Sequence, residues 1–294
     1  MRLTPFEAHA LCLGIVTLDI LGRAFRLRWY LRGLGAELTL SQAVTATTWG
    51  DAAAGLTPLR FGGEAAKFAG LLRGGIRPAT ALLALGLEAV VTYPLVFLFG
   101  GWLAWRFAPS WWEEAGPLLD TAMRSAGPWL LGVVLLGIAG SWAAIRWHRT
   151  RVPADAAAPP GVKAAIRQVP RWVVLAGIPL SLYNIVGRTL VLPLLASTLP
   201  EHPAFGVMML GSFALLYSQL LLPMPAGAGA VDFGFLAGVA GNLGPASGGL
   251  LLAWRFYTVG VGALSGAAIA VHTLGWAAMR RLMSRPARDP SPPA

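Results

Sequence analysis

Apolar stretches of bilayer length recur along the chain, separated by short polar breaks. Residues 6–22, 78–104, 127–147, 172–197 and 248–276 each read as a span, since a helix crossing the hydrocarbon core needs about 20 mostly apolar residues. Two further apolar stretches are interrupted. Residues 41–57 and 61–72 are parted by Pro58, and residues 204–222 and 229–241 by Pro223. Their arms are too short or too polar to cross alone, so each pair is predicted to be a re-entrant helical hairpin. Irregular backbone at membrane depth survives only where protein or water covers it. The expected fold is an all-α polytopic membrane protein with an inverted repeat of span, re-entrant hairpin, span: about five full spans plus two broken hairpins. The alternating pattern of a membrane barrel is absent.

One transmembrane domain is expected over residues 1–277, with one half at 6–104, a connecting span at 127–147, the other half at 172–276, and a disordered cytoplasmic tail at 278–294. Composition agrees with a membrane protein. The 294 residues are 56% hydrophobic and 12% charged, with a mean hydropathy of +0.62, where a soluble domain carries about 25% charge. The N-terminal apolar stretch contains Glu7, His9 and Asp19 and runs into arginines, so it reads as a first span rather than a cleaved signal.

The net charge of +10 would suggest nucleic acid in a soluble protein. Here the arginines gather between spans, as the positive-inside rule requires of cytoplasmic loops, and no nucleic-acid partner is expected. Arg23, Arg26, Arg28 and Arg32 read as the first such loop. Assigned cytoplasmic segments hold 17 of the 23 Lys and Arg, against two (Arg106 and Arg124) in assigned outer ones. Residues 105–126, with Trp111, Trp112, Glu113 and Glu114, read as an outer interfacial loop. The expectation is a bacterial inner-membrane protein with its N-terminus outside and its C-terminus in the cytoplasm. Cys12 is the single cysteine and the four histidines are scattered, so no disulfide, metal site or cofactor is expected.

The two breaks resemble each other. Pro58 and Pro223 lie 165 residues apart, as do Gly62 and Gly227, while Glu88 and Arg255 lie 167 apart. Paired broken segments in inverted halves mark the midplane site of secondary transporters. Pro58, Gly62, Gly63, Pro223, Pro225, Gly227 and Gly229 are the structural breaks on this reading.

Ionisable residues in spans and hairpins are Asp19, Asp51, Arg60, Glu64, Lys67, Glu88, Arg188, Asp232 and Arg255. A charge at mid-bilayer costs about 2.5–3.5 kcal/mol or more, so each needs a partner or water. The bland alternative makes them internal ion pairs, such as Glu88 with Arg255 or Glu64 with Arg188. The functional reading makes Arg60, Glu64, Lys67, Glu88, Arg188, Asp232 and Arg255 a substrate site. Half-helices beginning after a break aim N–H groups at an anion, and arginine forks suit phosphate. An anionic or zwitterionic lipid headgroup fits such a cavity. No nucleophile with a neighbouring base stands out, and an enzyme is not expected.

Pro58-x-Arg60-x-Gly62-Gly63-Glu64-x-x-Lys67, the later Glu88, Pro223-x-Pro225-x-Gly227-x-Gly229-x-x-Asp232 and Trp254-Arg255 together resemble the lysylphosphatidylglycerol synthetase/flippase transmembrane domain family over nearly the whole chain. The resemblance implies a lipid-translocating domain. In the multiple-peptide-resistance proteins a similar domain accompanies a soluble synthase; these 294 residues contain none, so lipid aminoacylation is not expected. Ala226, Asp232 and Lys67 depart from the usual glycine, glutamate and arginine. The leading expectation is a lipid flippase. The alternatives are a non-transporting lipid-binding partner of a lipid synthase or glycosyltransferase, and an ion-coupled small-solute carrier. A homodimer, or a lipid-synthesis enzyme as partner, is compatible with these readings.

Overall fold

The computed structural model describes residues 3–57, 60–110, 113, 169–219, 229, 231, 232, 234, 235 and 246–275. The long elements among them are all helices: α1 (Pro5–Gly33), α2 (Leu40–Leu56), α3 (Phe61–Arg73), α4 (Pro78–Ser110), α5 (Arg171–Ala196), α6 (Phe205–Ser218) and α7 (Ala246–Leu274). Three of them, α4, α5 and α7, are long and apolar enough to cross a membrane. The expected span at 127–147, the tail at 278–294, and the breaks Pro58, Pro223, Pro225 and Gly227 lie outside the described residues.

Local chemistry sets where the first helices start. Thr4 and Glu7 form a capping box at α1, with Pro5 at the first helical position, and Thr39 and Gln42 form another at α2. Each side chain satisfies a backbone N–H that the helix end leaves orphaned. α1 then continues to Gly33, beyond the expected end at residue 22. Arg23 and Arg26 are therefore not loop residues. They sit mid-helix and pair inside the bundle, so the count of basic loop residues loses them; Lys67, within α3, leaves the count for the same reason. α4 also overruns its expected end, and residues 105–110 are helical rather than loop.

The polarity of the bundle is inside out relative to a soluble protein. Asp19, Arg26, Thr47, Asp51, Lys67 and Ser181 are buried, while Leu18, Leu82, Phe97, Trp105, Leu175 and Leu252 are exposed. A hydrocarbon surround imposes this arrangement, because embedded charge must face protein or water. It also explains how α1 carries four arginines and two carboxylates in 29 residues and still presents apolar side chains outward.

α1 and α5 pack antiparallel along their length: Gly33 lies at Val173, Gly177 at Tyr30, Asp19 at Asn184 and Cys12 at Val191. α2 and α3 form a hairpin, with Gly70 against Ala46 and Gly63 against Ala54. Their 17 and 13 residues rise only about 26 and 20 Å, less than the roughly 30 Å of a hydrocarbon core. Two packings cross between the N-terminal and C-terminal parts of the chain. α7 packs on α2 through Gly262 at Asp51 and Gly266 at the Thr48 carbonyl; α4 packs on α6 through Phe99 with Phe213 and Phe107 with Gly206. Small residues let these backbones approach, as membrane helix packing requires.

Candidate functional site

Asp19, Arg23 and Arg26 fall one and two turns apart on the inner face of α1, and that face gathers the site. Asp19, 1% exposed, sits between two arginines. Its Oδ2 accepts from Arg23 Nε at 3.1 Å and lies 3.3 Å from Arg188 Nε. Its Oδ1 accepts from the Asn184 amide. Arg23 then reaches α2, donating from Nη1 and Nη2 to the two Asp51 oxygens at 2.8 and 2.7 Å. Such a two-pronged fork is the strong guanidinium–carboxylate geometry. Arg188 donates to the Thr258 carbonyl at 3.1 Å, within the π-helical turn Phe256–Gly260 of α7. π turns inside α-helices concentrate at functional sites. One connected set of charges thus joins α1, α2 and α5, with a hydrogen bond from Arg188 to the backbone of α7.

One turn along α1, Arg26 pairs with Glu88 of α4 and donates to Ser181 at 2.6 Å. Glu88 also accepts from Lys67 Nζ at 3.1 Å, and Lys67 lies 3.5 Å from Glu64. Glu64 itself is largely exposed. In the other half, Arg255 pairs with Asp232, Nη2 to Oδ1 at 2.6 Å, and Asp232 accepts the Gly229 N–H at 3.0 Å. The pairings Glu88–Arg255 and Glu64–Arg188, one alternative from the sequence, do not form: Glu88 takes Arg26 and Lys67, Glu64 takes Lys67, and Arg188 takes Asp19.

Arg60 stands at the apex of the first hairpin in the left-handed region, φ 58° and ψ 17°, the sole non-glycine with positive φ among the described residues. Thr57 anchors the turn, donating to the Ala53 carbonyl at 2.8 Å and accepting the Gly62 N–H at 2.9 Å. A Cβ on Gly62 would meet Thr57 Oγ1 at 2.7 Å, and one on Gly63 would meet Ala54 Cβ at 2.9 Å, so these two positions need glycine for close approach. From this turn Arg60 Nη1 donates to Gln219 Oε1 at 3.0 Å, at the end of α6. Arg60 thus ties the turn between α2 and α3 to the C-terminal end of α6. Arg60 is also within electrostatic reach of Arg188, Asp51 and Arg23.

Of the residues singled out from sequence, Arg60, Lys67, Glu88 and Arg188 are thus drawn into the bundle interior, Glu64 lies at its edge, and Asp232 and Arg255 form a separate pair. The described cluster holds five cations (Arg23, Arg26, Arg60, Lys67, Arg188) against the buried Asp19 and Asp51, the part-buried Glu88, and the exposed Glu64 at its edge. That surplus, mostly guanidinium, suits a phosphate-bearing anion. The sequence marks Asp19 and Asp51 only as embedded charges and does not single out Arg23, Arg26, Asn184 or Gln219, which the structure brings into the same cluster. A signal existed: Asp19-Ile-Leu-Gly-Arg23 and Asn184-Ile-Val-Gly-Arg188 share a pattern and stand 165 residues apart, the spacing of the two prolines.

No curated protein sequence matches the chain significantly. The profile of the family described as the lysylphosphatidylglycerol synthase TM region matches residues 2–266, which places the protein among multi-pass membrane proteins with a lipid-related function. It belongs to the lysylphosphatidylglycerol synthase transmembrane-region family.

Proposed function

We propose that the protein is a lipid flippase built on an inverted repeat, carrying a phosphate-bearing headgroup through the charged junction of its two halves while the acyl chains stay in the bilayer. The observation that carries this reading is the shared carboxylate: Asp19 touches Asn184, its counterpart 165 residues on, and lies between the equivalent arginines Arg23 and Arg188. An inverted repeat puts its two-fold axis where equivalent residues meet. The antiparallel α1 and α5 and the reciprocal reach of α4 and α7 support the same symmetry.

Charge supports the orientation. Arg28, Arg32, Arg73, Arg77 and Arg171 gather at one end of the bundle, where Gly33 meets Val173, Gly74 meets Leu38, and Arg73 donates to the Thr273 carbonyl. By the positive-inside rule this end is cytoplasmic. α2 and α3 open toward it as a re-entrant hairpin; α6 starts at the opposite end, where Gly206 meets Phe107. The N-terminus is then outside the inner membrane and the C-terminus inside.

Arg60 provides the test. A non-glycine in the left-handed region costs about 1–2 kcal/mol, and strain of this kind persists where the site requires it. Arg60→Gly relieves that strain and gives up one charge-assisted hydrogen bond, worth about 1.5–3 kcal/mol, so the two effects offset and stability is expected to hold within about 2 kcal/mol. The phospholipid retained on purification, measured by mass spectrometry, is expected to fall several-fold. Unchanged retention at unchanged melting temperature would remove Arg60 from the site, and a wild-type protein retaining no phosphate-bearing lipid would contradict the function.

A further inference from the structure

Four of the five cations in the cluster are held by carboxylates. Arg23 has Asp19 and Asp51, Arg26 has Glu88, Lys67 has Glu88 and Glu64, and Arg188 has Asp19. Arg60 touches no carboxylate among the described residues; its bond goes to a neutral amide, the Oε1 of Gln219, at 3.0 Å. Asp51 lies within its electrostatic reach, but both oxygens of that carboxylate sit in the fork from Arg23. Five cations thus stand against four carboxylates, and the unmatched charge falls on Arg60.

The partner of Arg60 is incomplete too. Gln219 is 1% exposed, and its Nε2 has no hydrogen-bond partner. Because Oε1 accepts from Arg60, Nε2 is the donor left over, and a buried donor without an acceptor is costly and rare. An unmatched guanidinium from the turn between α2 and α3 and an unmatched amide donor from the end of α6 therefore sit side by side. Both call for the same thing, an anionic acceptor. The start of α3, at the same turn, adds the positive end of a helix dipole.

Resting on the flippase reading, we propose that Arg60 and Gln219 form a clamp for a singly charged phosphodiester, the linkage of a phospholipid headgroup. Arg60 forks onto two phosphate oxygens, and the Gln219 amide donates to one of them. The charge count sets the class. One negative charge balances the surplus, whereas a phosphomonoester or diphosphate brings a second charge into the bundle with no cation left to pair it. The two clamp residues come from the N-terminal and C-terminal parts of the chain, so both parts hold the phosphate at their junction.

Gln219→Glu tests the clamp in the full chain, purified in detergent. The change keeps the length of the side chain and puts a carboxylate oxygen where Arg60 already donates, so the melting temperature is expected to hold or rise. Binding of a fluorescent phosphatidylglycerol, followed by anisotropy, is expected to weaken at least about tenfold, because the protein now supplies the anion itself. A purely structural Gln219 predicts a stronger Arg60 contact with unchanged affinity, and that result would overturn the clamp. If Gln219→Glu does not fold, Gln219→Met decides: it removes the orphaned donor without adding charge. Its affinity is expected to fall about threefold or more, and an unchanged affinity overturns the proposal. Unlabelled phosphatidylglycerol is expected to compete about fivefold or more better than phosphatidic acid at about pH 8, where the monoester carries its second charge. Equal competition by phosphatidic acid, or by inorganic phosphate, would overturn the phosphodiester assignment. Binding is read without transport. Weakened binding in Gln219→Glu with no lipid exchange in vesicles would sink the flippase reading alone, and lipid exchange with unchanged binding would sink the clamp alone.

Discussion

Moving the central carboxylate to the other half of the chain, by Asp19→Asn with Asn184→Asp, is expected to restore most of the stability that Asp19→Asn alone removes. Asp19 is buried between Arg23 and Arg188. Removing one partner of a buried ion pair costs about 3–5 kcal/mol; Arg23 keeps its fork to Asp51, so the lower figure applies. The second substitution puts a carboxylate at the symmetry-equivalent position, already in hydrogen-bond contact with the first. In an inverted repeat it faces the same two arginines from the other side. Melting temperatures of the two singles and the double, in one detergent, form a double-mutant cycle. A coupling of about 2 kcal/mol or more is expected; purely additive losses would mean that positions 19 and 184 are not equivalent. Such a result would also withdraw the axis on which the repeat is drawn.

Glu88→Gln is expected to be the most destabilising single change in the protein. Glu88 is the shared acceptor of Arg26 and Lys67, 2% and 9% exposed. Lys67 retains only Glu64, 3.5 Å away and 68% exposed. Two buried cations would lose their counter-charge at once, at about 3–5 kcal/mol. Adding Lys67→Met removes one orphaned cation and should recover part of the loss. If Glu88→Gln melts with the wild type, the pairing is not holding the bundle.

How far the sequence reached can be read from particular residues. The first break is legible because Pro58 interrupts an apolar run, and the helices on either side lie close to their expected bounds: Leu40–Leu56 against 41–57, and Phe61–Arg73 against 61–72. α5 and α7 begin and end within two residues of expectation. Arg23 and Arg26 were misplaced for a physical reason. Counting basic residues treats arginine as a marker of the membrane surface, whereas an arginine matched by carboxylates can lie inside. The matches were remote in sequence, Asp51 being 28 and Glu88 62 residues away. One local clue was available: Asp19 and Arg23 are four apart on a helix, the spacing at which opposite charges meet.

The repeat was sought through proline and glycine, which record where a helix breaks. The equivalence is written more plainly in Asp19-Ile-Leu-Gly-Arg23 and Asn184-Ile-Val-Gly-Arg188. There Asp19 touches Asn184, and glycine lets α1 and α5 approach: Gly22 lies at Leu180 and Gly187 at Ile15.

The central claim, that the junction of the two halves moves a lipid headgroup across the membrane, is tested most directly in proteoliposomes. A fluorescent phospholipid with an anionic headgroup is loaded in both leaflets, and the fraction exposed to an impermeant quencher is followed over time. The account predicts that the wild-type protein carries the inner pool outward into quenching range, and that Arg188→Gln at the shared Asp19 reduces the rate at least about tenfold, as loss of a charge-assisted contact of roughly 1.5–3 kcal/mol implies. Exchange no faster than in protein-free vesicles, or full exchange with Arg188→Gln, would contradict it.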